Sequence, residues 1–397
     1  MTGGIKGASV RVIGAGVAGL SVALALAQRG AEVQVLEQAA ALEDVGAGVQ
    51  ISRNGAVVLG ALGLGDGLTA RGVQGQGVAL FDGVSGRPVL QLDLARIRPD
   101  QRPFYLHRAD LIGMLRDAAV GAGVRIVLGV KVQAVDLSGG RPKIVQQNGG
   151  TDECDLLIGA DGLKSVVHRA LNGVTAPFFT RQAAWRAVIP AQGGDEAVAE
   201  VHMGPGRHLV SYPIRGGGLR NIVAVEERGS WLAEGWSQPD DPANLRAAFA
   251  GFSPRVRGWL DQVTETGIWG LFRHPVARHW YRDLPQGRAV ILGDAAHPTL
   301  PFLAQGANMA LEDAFVLADL LDRQGMGGMA AFQAQRAARC QRIVDASTGN
   351  ARLYHLRRPW RGPACLALGI AGAVAPARMV ARYDWLWGHD VTAGRSG

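Results

Sequence analysis

From Val10 to Glu37 the chain reads VRVIGAGVAGLSVALALAQRGAEVQVLE, with glycines at 14, 16 and 19 between apolar runs. The first run predicts a strand, the glycines a tight turn, the stretch after Gly16 a helix, and Glu32 to Leu36 a second strand. Gly46 to Leu64 passes from glycines and polar residues to helical spacing at Asn54, a loop followed by a helix. Residues 73 to 102 alternate polar and apolar between glycines at 75, 77, 83 and 86, which predicts hairpin strands of a separate sheet. A helix follows from Arg108 to Ala119, then a β-rich run from Gly123 to Val132. TDECDLLIGADGLKSVVHR (Thr151 to Arg169) is a hydrophobic strand ending in Asp161–Gly162 before a helix. Residues 179 to 274 are again strand-like, and there His208, Val210 and Tyr212 share one strand face. Gly287 to Asp294 is one more buried strand, Pro301 precedes a helix starting near Gly306, and beyond Asp345 helices break near Pro359 and Pro363.

Strands of nucleotide-binding type therefore recur on either side of β-rich stretches, so the expected architecture is α/β with interleaved domains. A length of 397 residues is long for one hydrophobic core. The expected division is a discontinuous nucleotide-binding domain at 1–72, 103–178 and 275–345, a substrate domain of β-sheet at 73–102 and 179–274, and a helical C-terminal segment at 346–397.

Composition changes this picture little. With 48% apolar and 19% charged residues the chain is globular. The net charge of +7 raises the question of nucleic acid, but there are only four lysines (6, 131, 143, 164) and the arginines are scattered, so no nucleic-acid partner is expected. A mildly basic surface would help collect anionic ligands. Cysteines 154, 340 and 365 are odd in number and show neither metal spacing nor a disulfide framework, which predicts no metal and a cytoplasmic location. The uncharged run Gly362 to Ala377 is interrupted by prolines and falls short of the roughly 18 residues of a spanning helix, so a packed C-terminal helix is expected. Lys6 and Arg11 before the run ending Ala23–Ala27 imitate a secretory signal, but the three glycines and the strand continuing through Val33 and Val35 oppose it.

The glycines carry the first chemistry. Gly14 makes the turn, Gly16 admits a pyrophosphate close to the backbone, and Gly19 permits close helix packing, while the helix N-terminus offers unpaired N–H groups. Glu37 stands near the offset of ~20 residues at which an acidic side chain accepts hydrogen bonds from an adenosine ribose. Arg108 lies at a helix start, and Asp161 at the C-terminal end of a strand, where doubly wound folds bind ligands.

GAGVAG at 14–19 with Glu37, DGLKSVVHR at 161–169 and GDAAHPTLPFLAQGAN at 293–308 together make the chain resemble the single-component (group A) FAD-dependent aromatic hydroxylases, the group of salicylate hydroxylase and 3-hydroxybenzoate 6-hydroxylase. The resemblance spans nearly the whole chain. It implies a Rossmann-like FAD-binding domain of the para-hydroxybenzoate hydroxylase type interleaved with the β-sheet domain. It further implies that Gly14, Gly16, Gly19 and Glu37 hold the ADP half of FAD, that Ala18 and Val132 are further cofactor contacts, and that Arg108 and Asp294 meet its pyrophosphate and ribityl chain. Asp161 and Arg169 would belong to a motif shared by FAD and NADH, and the amides of Gly306, Ala307 and Asn308 would face the flavin pyrimidine. A helix N-terminus there suits the anion of reduced flavin.

The chemistry implied is hydride transfer from NADH or NADPH to the flavin, addition of O2 to give a C4a-hydroperoxide, and hydroxylation of a small phenolic or aromatic acid, with or without loss of its carboxylate. Glu37 does not discriminate between the two nicotinamides, because FAD takes that site. His208 and Tyr212, in HLVSYPIRGG, match the 3-hydroxybenzoate 6-hydroxylase type and are expected with Pro301 at the catalytic centre, His208 as the base for the phenol. Phe302 departs from relatives with polar residues beside the flavin. Two further readings are a hydroxylase of the same fold acting on a polycyclic, antibiotic or quinone-precursor substrate, and a non-catalytic binding protein. A homodimer is also expected.

Overall fold

The computed structural model describes residues 4–42, 47–191, 196–230 and 238–394; Gly46, at the head of the expected loop, lies outside them. β1 (Ser9–Ile13) buries Val10 and Val12 and pairs in parallel with β2 (Glu32–Leu36) on one side and β3 (Leu156–Gly159) on the other. The sheet runs Tyr281–Asp283, Arg288–Ile291, β3, β1, β2, Arg125–Val127, parallel except for its first strand. β3 is buried along its whole length, as a parallel strand covered on both faces must be. The same covering explains why the first helix, α1 (Val17–Ala27), has no polar stripe: residues Leu20 to Leu26 are all buried.

The second sheet has eight strands in the order Gln238–Asp240, Thr266–Arg273, β4 (Phe178–Pro190), β6 (Leu219–Glu227), β5 (Arg207–Ile214), Val198–Gly204, Gly77–Asp82, Pro88–Asp93. It is antiparallel except where Val198–Gly204 meets Gly77–Asp82. Alternation gives it two different faces. Trp185, Ala187, Ile189, Leu209, Ile222 and Ala224 pack against the helices Pro242–Ala248 and Pro254–Leu260. Arg186, His208, Val210, Tyr212, Val223 and Val225 point the other way, into a cavity facing the first sheet.

Three long helices close the chain: α2 (Gly306–Gln324), α3 (Met329–Tyr354) and α4 (Arg361–Val374). Two expectations are corrected here. α3 runs unbroken across 345–346, so the boundary expected there falls inside a helix; the break comes only after Tyr354, ahead of Pro359. α4 is not a packed helix on all sides. Its small residues meet the sheet edge, where a Cβ at Gly372 would lie 2.1 Å from Leu90, but Leu366, Ile370 and Val374 stand 66%, 56% and 79% exposed on the opposite face.

Candidate active site

Three turns line up at the C-terminal edge of the parallel sheet, after β1, after β3 and after Arg288–Ile291, the place where such sheets bind ligands. At the first, Gly14 has φ +101° and a Cβ there would sit 2.4 Å from the Ala160 carbonyl, so only glycine fits. A Cβ at Gly19 would be 1.8 Å from the Gly14 carbonyl, the close helix packing expected of it. Gly16 differs: a Cβ would meet nothing within 4 Å, and Gly16 with Ala18 borders the cavity. Glu37 follows directly on β2 and accepts N–H bonds from Ala15 (2.8 Å) and Ala39 (2.9 Å). It thus braces the turn, and a carboxylate with about four acceptor sites keeps capacity for further donors.

At the second turn Asp161 accepts from the Val166 N–H at 2.7 Å through Oδ2, while its buried Oδ1 has no hydrogen-bond partner. Burial pushes this carboxyl up, against the pull of Ser165 and the Val166 amide. At the third turn Asp294 borders the cavity; burial raises its pKa, and His297, Arg108, His274 and Arg186 pull the other way. Arg108 heads the helix Arg108–Gly121 and also borders the cavity.

Beyond Asp294 the chain makes a turn at Pro301–Leu303 and passes through Ala304 in the left-handed region (φ +52°) before α2 begins. That bend brings Gly306 and Ala307 to the cavity, with first-turn N–H groups that have no acceptor inside the helix. Asn308 is buried, and its side chain is fully occupied: Oδ1 accepts from the Ser52 N–H (3.0 Å), and Nδ2 donates to the carbonyls of Gln50 (3.0 Å) and Ala304 (2.8 Å). Gly48–Ile51, expected as part of a loop, is a short strand paired with Phe104–His107; Asn308 therefore ties this strand and Ser52 to α2 and has only its main-chain N–H to offer a ligand. Asn54 is buried in the same polar seam, donating to Glu312 at 2.6 Å and not facing the cavity.

Two expected cofactor residues stand apart. Val132 is buried in the main hydrophobic core and does not border the cavity, because its strand Val132–Asp136 belongs to a small three-stranded sheet. Arg169 is exposed on the helix Val166–Asn172, away from the cavity lining.

The cavity, about 620 Å³, is roofed by the second sheet and bordered by Pro301 and Phe302. The Tyr212 ring lies tilted against Tyr105, with centres 5.1 Å apart, and burial raises its pKa despite Arg186 and the side chains of Gln50 and Asn221. His208 shares the strand face but keeps different company: Phe302 at 5.6 Å, Tyr354 at 5.1 Å, and His355, whose Nε2 is 2.7 Å from His208 Nδ1. Burial, and then His355, hold the His208 pKa well below the ordinary histidine value, so the ring is neutral at pH 7.

Arg186 was not singled out from the sequence. It borders the cavity with its guanidinium 4.5 Å from the centre of the Trp269 ring. Burial and Arg108 push its pKa down to about 10, which leaves it charged at neutral pH. The signal was available in WRAVI, where strand alternation sets Arg186 opposite the core residues Trp185 and Ala187. His355 carried no such signal, lying 147 positions from His208.

Under the third turn lies a buried ionic network that sequence reading also missed. Asp313 accepts from the Gly293 N–H (3.0 Å), from His297 Nε2 (2.5 Å) and from Arg336 Nε (2.7 Å); Glu312 accepts from Arg336 (2.5 Å) and Arg339 (2.8 Å). His297, Asp313 and Cys340 bring potential metal-ligating atoms within 4.8 Å of one another. Burial opposes the charged form of His297, but Asp313 and Cys340 raise its pKa well above the usual value. The protonated ring and Arg336 supply the positive charge this cluster needs.

Comparisons with known proteins agree with this geometry. A family model described as FAD binding domain matches residues 7–347. The chain is 35% identical over 370 residues to 3-amino-4-hydroxybenzoate 2-monooxygenase of Streptomyces cremeus, covering 90% of this chain and 89% of that one. It is 31% identical to 3-hydroxybenzoate 6-hydroxylase of Polaromonas naphthalenivorans, covering 96% of each. Among solved structures, Klebsiella pneumoniae HpxO complexed with FAD and uric acid superposes with a TM-score of 0.81 at 24% identity, covering 94% of this chain and 95% of that one. A salicylate hydroxylase substrate complex gives 0.79 at 22%, covering 98% and 97%. At such identities the solved structures speak for the fold.

Proposed function

We propose, on the premise that the chain belongs to the FAD-binding-domain family and is an FAD-dependent monooxygenase acting on aromatic rings, that its substrate is a small phenolic acid held between Arg186 and His208. The register of the second sheet carries this reading. Arg186 pairs with Val223 and Val223 with Val210, while His208 pairs with Val225 and Tyr212 with Asn221. Arg186 therefore stands in the row between those of His208 and Tyr212, two strand spacings or roughly 10 Å away. A cation in an otherwise largely apolar roof provides for one carboxylate, and a neutral histidine on the same face provides for one acidic hydroxyl.

FAD fits the three turns on structural grounds: the space open beside Gly16, the unpartnered Oδ1 of Asp161, and the first N–H groups of α2. Gly14, Gly16, Ala18, Gly19 and Glu37 would hold its ADP half, Arg108 and Asp294 the middle, and Gly306 to Asn308 the flavin end. Bound FAD supplies the redox chemistry, taking electrons from NADH or NADPH and activating O2. The chain's own residues prepare the ring. A phenol with a pKa near ~10 is about one part in a thousand ionised at pH 7, a deficit of roughly 4 kcal/mol, and oxygen transfer needs the electron-rich phenolate. His208, neutral and buried, accepts that proton. Pro301 and Phe302 wall the site, and Tyr212, packed against Tyr105, limits where the hydroxyl can lie.

The reading extends to a cytoplasmic location, supported by three unpaired cysteines, and to a homodimer that covers the exposed face of α4. The direct test of function is to screen salicylate, 3-hydroxybenzoate and 3-amino-4-hydroxybenzoate for stimulation of NADH and NADPH oxidation by the FAD-loaded protein, with product counted per nicotinamide. At least one carboxylate should stimulate strongly and its methyl ester weakly; equal stimulation by acid and ester would exclude Arg186 as the anchor.

A further inference from the structure

The environment of His208 continues past the cavity wall. Its Nδ1 is 2.7 Å from Nε2 of His355, the residue that caps the C-terminus of α3, and Nδ1 of His355 is 3.3 Å from Oε1 of Glu227 at the end of β6. The Glu227 side chain is 38% exposed, and its other oxygen is paired with Arg357 at 2.6 Å. A buried histidine in the active-site roof is thus joined to solvent by one further ring and one carboxylate. His208 is 1% exposed, and among the described residues Phe302 and Tyr354 pack against its ring on the cavity side.

We propose that His208, His355 and Glu227 form a proton outlet connecting the substrate hydroxyl to bulk water, with His355 a positioning residue that fixes the tautomer of His208 and passes its proton on. This rests on the reading of His208 as the base. The argument is one of proton counting. Two neutral imidazoles 2.7 Å apart share one proton between Nδ1 of His208 and Nε2 of His355. The carboxylate of Glu227 lies 3.3 Å from Nδ1 of His355, a nitrogen with no hydrogen-bond partner of its own, and a negative charge at that distance favours the proton there, which leaves the lone pair on Nε2 of His355. His208 must then donate from Nδ1, which leaves the lone pair on its Nε2, the nitrogen not engaged by His355.

The charged and titratable groups around the chain agree with neutral rings at rest. Burial is the main cause lowering the pKa of each ring. His208 also faces His355 and Tyr354. For His355, Glu227 pulls upward while Arg357 on its own segment and Arg207 at the head of β5 push down, with a net value of about 4. In the forward direction the phenol O–H bond breaks and the proton joins His208 Nε2. The proton on His208 Nδ1 moves to His355 Nε2, and the one on His355 Nδ1 moves to Glu227 and thence to water. Protonation of the product by the reverse sequence restores both tautomers, so no other acid or base is consumed.

Two measurements test the outlet. In the FAD-loaded protein labelled with ¹⁵N-histidine, long-range ¹H–¹⁵N spectra should show both His208 and His355 protonated at Nδ1, and Glu227→Gln should move the His355 signals. His208 protonated at Nε2 would overturn the outlet and the base reading together. Unmoved His355 signals in Glu227→Gln would overturn the outlet alone. In stopped flow, mixing the holoenzyme with 3-hydroxybenzoate should report phenol ionisation by absorbance. His355→Phe and the milder His355→Gln should slow it tenfold or more with FAD content and melting temperature retained, and added imidazole should restore part of the rate. His208→Gln should abolish it. A parent-like rate in the His355 variants beside loss in His208→Gln overturns the outlet and leaves the base standing; a parent-like rate in His208→Gln overturns the base.

Discussion

Arg186 concentrates the question of substrate in one side chain. A charge-assisted hydrogen bond to a carboxylate is worth ~1.5–3 kcal/mol, and each ~1.4 kcal/mol is a factor of ten in affinity. Arg186→Gln should therefore raise the dissociation constant of a stimulating phenolic acid about ten- to hundredfold, leave FAD bound, and leave binding of the methyl ester unchanged. Titration of the flavin absorbance with acid and ester checks this; equal weakening of both would assign Arg186 to the shape of the cavity and not to charge. At this scale the sequence was legible wherever a local rule acts. The glycines declare their turn by their spacing, and strand alternation places His208 and Tyr212 on one face and would have placed Arg186 beside them. It was silent on what His208 touches, because Tyr354 and His355 reach it only through the docking of α3, which no local periodicity encodes. Val132, assigned by family likeness, turns its side chain into the core, which leaves only its main chain to face a ligand.

Among the elements, α2 does most to shape the site, since its N-terminus borders the cavity while its next turn holds the turn after Arg288–Ile291 through Asp313 and the Gly293 N–H. Its position depends on Arg336, fully buried between Glu312 and Asp313. Removing one partner of a buried pair leaves an uncompensated charge and costs ~3–5 kcal/mol. Arg336→Met should lower stability by that amount in urea unfolding and loosen FAD, and Glu312→Gln in the same chain should recover part of the loss; an unchanged midpoint would mean that Arg339 alone neutralises the cluster. The pH dependence has a definite sign. Burial raises the Asp313 pKa, but His297 and Arg336 outweigh it and hold the group at about 2 against 3.8 in the unfolded chain. Its contribution is therefore complete above about pH 4 and disappears as pH falls towards 2. The sequence showed Glu312 and Asp313 only as two acids in an apolar helix, and the arginines that pair with them arrive from α3, more than twenty positions on.

For the whole molecule, the α/β plan with an interposed sheet was legible because parallel strands buried on both faces and alternating strands with two unlike faces write different patterns. The C-terminal helix was harder to place, since an uncharged, mostly apolar run reads the same whether the protein covers it on one side or on all sides. α4 turns its small residues to the sheet edge and leaves Leu366, Ile370 and Val374, one helical face, in water. Apolar surface returns roughly 25 cal/mol per Å² when covered, and a self-complementary face repeated on a second copy generates a closed two-fold pair. The homodimer reading then makes a specific demand. Ile370→Glu places a charge in the centre of that face and should convert a dimer to a monomer at micromolar concentration, with FAD content and nicotinamide oxidation per chain retained because Ile370 is exposed and does not border the cavity, although Leu368 of the same helix does. Light scattering coupled to size exclusion decides it: a parent chain that is already monomeric across the concentrations tested, or a variant that stays dimeric, removes α4 from the interface.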